Sequence, residues 1–540
     1  MGDSCKNGEG CIFLSKDLGW LPYDAKNTRS AAPKPIDERW KDTKTTLLIS
    51  ISSFRDALCP KTLYNLFTKA QYPDRITVSI IQQNVHGEDV DCLDTYCEMM
   101  GKKDCPHKDQ VLIKRVNAKD ARGPQWARAE ASKVILGRPA GADEFCLQID
   151  SHMDFVHGFD SKMMEMWALT DNEYGILSTY VTASENLPLF EGENAKGVNN
   201  MHEVPHLCMI TLQGANGMPR NWGTKCARSL PHPKLTNGIW GAGLSFSKCH
   251  AERKVPYDPH LPYIFDGEEF SRSVRFFTWG YDVYTPHRVY IVHDYTNSQK
   301  DPLHFAWTRN HGSTKGGRAV GAHLHPYDAV DNDDGRTASD SVKRIQRLLG
   351  RTYSNSREQK IYRQNKEQED EERRRVQWTR YGLGDRRTLE QAATFTGVDM
   401  EHWHVDNRKN NRCGNLNYVP FKEHPRGAAY EPRYDPVSEV FIDEKDEGSI
   451  RPLLGEDAQY TRKEGDAKKN EISPPLVVPP FGATAQRHPL LSTSLDLSSH
   501  PHAIYFRLAQ GLCFLVIIFV LAAGLHSFLR RRSNSRRTTE

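Results

Sequence analysis

The sequence predicts an α/β protein: an open, mostly parallel sheet with helices on both faces, carrying a polar, disordered stalk and one C-terminal transmembrane helix. Three observations predict it. Between Thr45 and Phe155 short apolar, β-branched runs alternate with helical segments, as in βαβ layers. Those runs are continuous rather than alternating, the pattern of strands buried on both faces. Mean hydropathy over the 540 residues is −0.66 and hydrophobic content only 38%, so the folded core must carry long polar additions. The 72 Lys and Arg against 69 Asp and Glu leave a net charge of +3, which argues against nucleic acid as a partner.

Residues 1–44 are polar and contain Pro22, Pro33 and Pro35, an irregular lead-in. Thr45 to Asp56, TTLLISISSFRD, reads as a buried parallel strand, and Pro60 opens a helix with Leu63, Leu66, Phe67 and Ala70 at helical spacing. Strands follow at Arg75 to Asn84 and Val111 to Val116, then a helix from Gln125 to Leu136 behind Gly123-Pro124. Glu144 to Phe155, EFCLQIDSHMDF, is an apolar run that ends among polar residues. Two strand-rich blocks come next, YGILSTYV and RFFTWGYDVYTPHRVYIVHDY. Arg357 to Arg375 is charge-dense without apolar heptads: an exposed helix or an unfolded stretch, not a coiled coil. The folded domain is expected over 45–400 and the stalk over 401–507.

The uncharged run Leu508 to Leu525, extendable to Leu529, meets the length of about 20 residues that a membrane helix needs. Arg530, Arg531, Arg532, Arg536 and Arg537 follow it within a basic tail, 530–540. The arginines favour a cytoplasmic carboxyl end and hence a lumenal domain. The amino terminus lacks a cationic start before an apolar core, which favours a tail anchor with the domain in the cytoplasm. The second consideration is given more weight. It entails reduced thiols, with Cys92, Cys97 and Cys105 unbridged. Their spacing, with His107 nearby, suits a zinc ribbon less well than free thiols or a local bridge.

In an open α/β sheet, ligands sit beyond the carboxyl ends of the strands. There the informative cluster is Asp150-Ser151-His152, a carboxylate and an imidazole able to hold one divalent metal; a solvated turn explains the triplet equally well. His293, in VYIVHDY, also follows an apolar strand and offers a third ligand. Asp266, Glu268 and Glu269 in IFDGEEF suit hydroxyl binding and charge stabilisation; the alternative is an acidic turn capping a helix. Gly238 to Gly243, GIWGAG, either approaches a flat sugar ring or is a tight turn packed under Trp240.

Taken in order, SISSFRD, CPKTLYNLFTKA, GPQWAR, LQIDSHMDF, NEYGILSTY, WGAGLSFSK, FDGEEFSRSVRFFTWGYDVYTP and TRYGLGDRRTLEQAATFTGVD resemble the polypeptide N-acetylglucosaminyltransferases, whose best-known members modify hydroxyproline. The resemblance covers about Thr45 to Asp399. It implies an A-type glycosyltransferase fold, UDP-GlcNAc as donor, a divalent metal such as Mn2+, retention of sugar stereochemistry and an acceptor protein as partner. Position by position it implies Asp150, His152 and His293 at the metal, with Ser52 and Arg55 at the nucleotide end of the first strand. It places Arg122, Arg128 and Asp150 near the donor, and Asp266, Glu268 and Glu269 near the reacting sugar. The stalk and membrane helix depart from the family, and insertions around Glu191 to His206 and Asn310 to Gly335 obscure the acceptor groove. Two other readings stay open: a membrane-tethered interaction protein on an inactive transferase fold, and a metal-dependent hydrolase using Asp150, His152 and Asp154. A homodimer is also compatible with the sequence.

Overall fold

The continuous apolar runs become the middle strands of an eight-stranded sheet. The computed structural model describes residues 32–101, 105–138, 144–192, 203–212, 217–223, 225–228, 230–295, 334–351, 364–377, 379–406, 412–414 and 416–421. Its first strands and helices are β1 (Leu47–Phe54), α1 (Cys59–Lys69), β2 (Ile76–Asn84), α2 (Cys92–Met99), β3 (Val111–Asn117) and α3 (Pro124–Leu136). Then come β4 (Phe145–Asp150), β5 (Met153–Phe155), α4 (Phe159–Ala168) and β6 (Gly175–Ser178). Short strands β7 (Glu203–Pro205) and β10 (Cys226–Arg228) pair with each other, as do β8 (Ile210–Thr211) and β9 (Arg220–Asn221). Next are β11 (Lys234–Leu235), β12 (Leu244–Lys248), α5 (Cys249–Lys254), α6 (Glu268–Thr278), β13 (Asp282–Thr285) and β14 (Ile291–His293). The sheet order is β11-β13-β6-β12-β4-β1-β2-β3. The joins among β4, β1, β2 and β3 and between β13 and β6 are parallel; β12 runs against both its neighbours and β11 against β13. The sheet is therefore α/β, mixed and mostly parallel.

Side-chain parity along a strand explains the layers. Leu47, Ile49 and Ile51 of β1, with Phe145, Leu147 and Ile149 of β4, pack on Leu63, Leu66 and Phe67 of α1 and Met163 and Trp167 of α4. Leu48 and Cys146, one residue out of phase, meet Ile135 of α3 and Cys249 on the other face. Helices thus cover both faces. The same parity points the last residue of β4, Asp150, toward the α3 side.

Beyond β14 the described chain forms α7 (Asp334–Leu348), the charged helix α8 (Lys366–Gln377), α9 (Leu389–Thr396), and the paired strands β15 (Val398–Asp399) and β16 (His404–Val405). Thr388 and Gln391 make a capping box that starts α9. Phe395 of α9 stacks on Phe277 of α6 with ring centroids 4.9 Å apart. Packing continues past residue 400, where the stalk was expected to begin. Trp403, Cys413 and Val419 are buried, and Phe421 packs against Tyr174.

Three expectations need correction. The RFFT segment is the end of helix α6 rather than a strand, because its burial follows the helix that starts at Glu268. The run Glu144 to Phe155 is two strands, broken at Ser151 and His152. Cys92, Cys97 and Cys105 do not stay unbridged. Among the described residues four disulfides join Cys59 to Cys92, Cys97 to Cys105, Cys146 to Cys249 and Cys208 to Cys413. Packing of α1 beside α2 supplies Cys92 with a partner that local spacing hides, and it consumes the thiols a zinc site would need. His107 instead stacks on Phe67. Among the described residues no helix is long and apolar enough to cross a membrane. The expected membrane helix 508–529, the basic tail and most of the stalk lie outside the described residues, as does most of the insertion at Asn310 to Gly335.

Candidate active site

Asp150 is the last residue of β4, in register with Ser52 of β1, and His152 lies in the break between β4 and β5. Strand β14, antiparallel to β5, brings His293 opposite Met153 and hence beside His152. The ligand atoms of Asp150, His152 and His293 all lie within 4.8 Å of one another. His152 Nε2 faces His293 Nε2 at 2.9 Å, and Asp150 Oδ2 is 3.6 Å from His293 Nε2. Gly243 closes the floor: a Cβ there would stand 3.0 Å from Asp150 Oδ2.

The outer atoms of Asp150 and His152 are engaged, which leaves their inner ones for a ligand. Arg128 of α3 donates to Asp150 Oδ1 at 3.0 Å and to Glu268 Oε1 at 2.7 Å. His152 Nδ1 lies 2.7 Å from Asp56 Oδ2. Burial alone would raise the Asp150 carboxyl, but His293, Arg128 and His152 outweigh it and hold the group well below the usual carboxylate range. Burial likewise disfavours the His152 cation, and Asp56 reverses the effect, raising the imidazole. These residues fit a divalent cation: one carboxylate oxygen and two imidazole nitrogens is a donor set of the Mn2+ and Zn2+ class.

Glu268 and Glu269 open α6, with Gly267 at φ 105° as its N-cap. The acidic segment therefore opens a helix, as the alternative reading has it. Glu269 is fully engaged: Ala242 N–H donates to Oε1 at 2.9 Å, while Tyr180 Oη and Asn221 Nδ2 donate to Oε2 at 2.9 and 3.0 Å. Burial pushes its carboxyl up to about 7, against the bonds from Ala242 and Tyr180. Glu269 thus ties the GIWGAG turn and β9 to α6. Trp240 is wholly buried against Arg272, so the turn is packed under its tryptophan and offers no ring to a sugar. Asp266 is buried 3.5 Å from Arg220.

The other anticipated residues are not among the clustered ligand atoms. Arg55, at φ 50°, is held bidentately by Asp89 at 2.8 and 2.9 Å. Arg122 lies over Trp126, 5.9 Å from the ring centroid. Ser52 stands in register with Asp150 across β1 and β4, its Oγ buried without a hydrogen-bond partner. Asp154, the hydrolase ligand, bonds Lys69 at 2.7 Å and is outside the cluster. Sequence reasoning passed over Asp56, Tyr180 and Asn221. Asp56 alone had a signal, since it closes the first strand-end motif.

Residues 46–99 and 92–402 match the model of the family described as Glycosyltransferase (GlcNAc). The chain belongs to this GlcNAc glycosyltransferase family. A search of curated proteins finds no match. Among solved structures, GalNAc-T7 with UDP, GalNAc and Mn2+ is 13% identical at a TM-score of 0.31, over 49% of this chain and 47% of that one. The mannosyltransferase PcManGT from Pyrobaculum calidifontis, in complex with GDP-Man and Mn2+, is 13% identical at a TM-score of 0.30, over 70% of this chain and 90% of that one. The chain thus spans about half the length of the first of these structures. At such scores neither likeness bears on the chemistry.

Proposed function

We propose that this family member moves N-acetylglucosamine from UDP-GlcNAc to a hydroxyl of an acceptor protein, hydroxyproline among the candidates, with retention of configuration and with a divalent metal, Mn2+ first. The observation that carries the reading is the convergence of Asp150, His152 and His293 at the end of β4, within the stretch that matches the family. A divalent cation held there supplies neutralisation of the charge that develops on a departing diphosphate. Asp150 presents Oδ2 because Arg128 holds Oδ1. Arg128 also links that carboxylate to Glu268, which ties the α6 N-terminus to the β4 end. Ser52 and Arg122 remain candidates for the nucleotide and Asp266 and Glu268 for the sugar, whereas Arg55 must first release Asp89. The inactive-scaffold reading is disfavoured by a ligand set that is complete and convergent.

The four disulfides favour the lumenal alternative over the cytoplasmic one, because such bridges persist in oxidising compartments. Membrane attachment through 508–529 is retained as part of the proposal. The donor reading is tested by offering labelled UDP-GlcNAc, UDP-GalNAc and UDP-glucose with Mn2+. Release of UDP predominantly from UDP-GlcNAc is expected. Folded protein that leaves all three intact refutes the proposal.

A further inference from the structure

We infer that Asp56 is the positioning residue that sets the tautomer of His152 and so makes its Nε2 a metal ligand; this rests on the metal reading proposed above. Asp56 lies just past β1, buried, and both its oxygens are spoken for. Oδ2 is 2.7 Å from His152 Nδ1 and accepts from Ser151 Oγ at 2.5 Å; Oδ1 accepts from Leu58 N–H at 2.9 Å. An acceptor facing Nδ1 requires the proton on Nδ1, which leaves the Nε2 lone pair directed at His293.

The same corner of the fold holds the ring's backbone. Thr62 of α1 donates to the Ser151 carbonyl at 2.8 Å and accepts from Met153 N–H at 2.9 Å. The Cys59–Cys92 disulfide anchors the first turn of that helix. Among the described residues the buried Nδ1 of His293 meets no hydrogen-bond partner comparable to Asp56. Of the two imidazoles, His152 is therefore preset and His293 adapts to it.

The decisive variant is Asp56→Asn, which keeps shape and removes the charge. Leu58 N–H holds the amide oxygen on its own side and turns the amide NH2 toward His152 Nδ1. The ring must then accept at Nδ1 and carry its proton on Nε2, where it blocks ligation, the same logic by which an isosteric amide misdirects a catalytic-triad histidine. Full-length protein is titrated with Mn2+, with and without UDP, by electron paramagnetic resonance of the free ion. Metal-free protein with 15N-labelled histidine reports the tautomer. D56N is expected to weaken Mn2+ binding about 10- to 100-fold and to move the His152 proton from Nδ1 to Nε2. Ser151→Ala, which leaves the carboxylate in place, is expected to bind Mn2+ within about threefold of wild type. Equal affinity in wild type and folded D56N, or a neutral His152 ring in the wild type that carries its proton on Nε2, overturns the inference alone. A wild type that binds no Mn2+ under either condition overturns the metal reading and this inference with it.

Discussion

At the residue scale, the fold gathers Asp150, His152 and His293 and leaves Asp154 outside their cluster. Asp150, His152 and His293 were legible because each ends an apolar run, and the strand-end rule needs no tertiary information. Asp154 looked equivalent by strand parity, yet the chain breaks at Ser151 and His152, and Lys69 takes its carboxylate. Replacing His293 with Ala should weaken Mn2+ binding about 100-fold, whereas Asp154→Ala should leave it within a few fold and cost about 1 kcal/mol of stability. Calorimetric titration of both variants checks this. Asp56 was hidden for a physical reason: its role exists only because α1 begins beside the end of β4.

Glu269 makes a second residue-level prediction. Its folded pKa, about 7, stands above the ordinary 4.5, so the folded state holds this proton more tightly than the unfolded chain. The associated stability is fully present below about pH 4.5 and is lost as pH rises through about 7. Glu269→Gln, which mimics the protonated group, should therefore show a shallower fall of melting temperature between about pH 5 and 8. A fall as steep as that of wild type would contradict the assigned shift.

At the element scale, β1 to β3, α1 and α3 were legible to within a residue or two, because continuous apolar runs and Pro or Gly punctuation report local structure directly. The errors fell where context decides. The aromatic, β-rich RFFT segment is helical because Phe276 and Phe277 must fill two different clusters around α6. Disulfide partners were equally illegible, since Cys208 and Cys413 are separated by 205 positions in sequence. That bridge closes a long loop, and Cys208→Ser with Cys413→Ser should cost about 3–5 kcal/mol. Chemical denaturation measures the loss, and an unchanged midpoint would show the bridge to be dispensable.

At the scale of the whole molecule, the described residues fall within one unit, Met1–Tyr460. Its packing reaches Phe421, so a chain ending at residue 400 lacks the Cys413 bridge and the side chains of Val419 and Phe421. Such a truncation should express as aggregated or readily proteolysed protein, while one ending near 430 should resist proteolysis. This boundary was illegible because Asn and charge dominate the segment that ties the core together. If the disulfides report the compartment, protease added to sealed microsomes should spare the large domain; digestion of that domain would restore the cytoplasmic reading.

The central claim is that the Asp150, His152 and His293 cluster serves transfer from UDP-GlcNAc. The most direct test is UDP release from UDP-GlcNAc by the full chain with Mn2+, repeated with excess chelator and with His293→Ala. The account predicts release that the chelator abolishes and that His293→Ala lowers about 100-fold or more. Release that persists under both treatments, or that never occurs with folded protein and Mn2+, would contradict it.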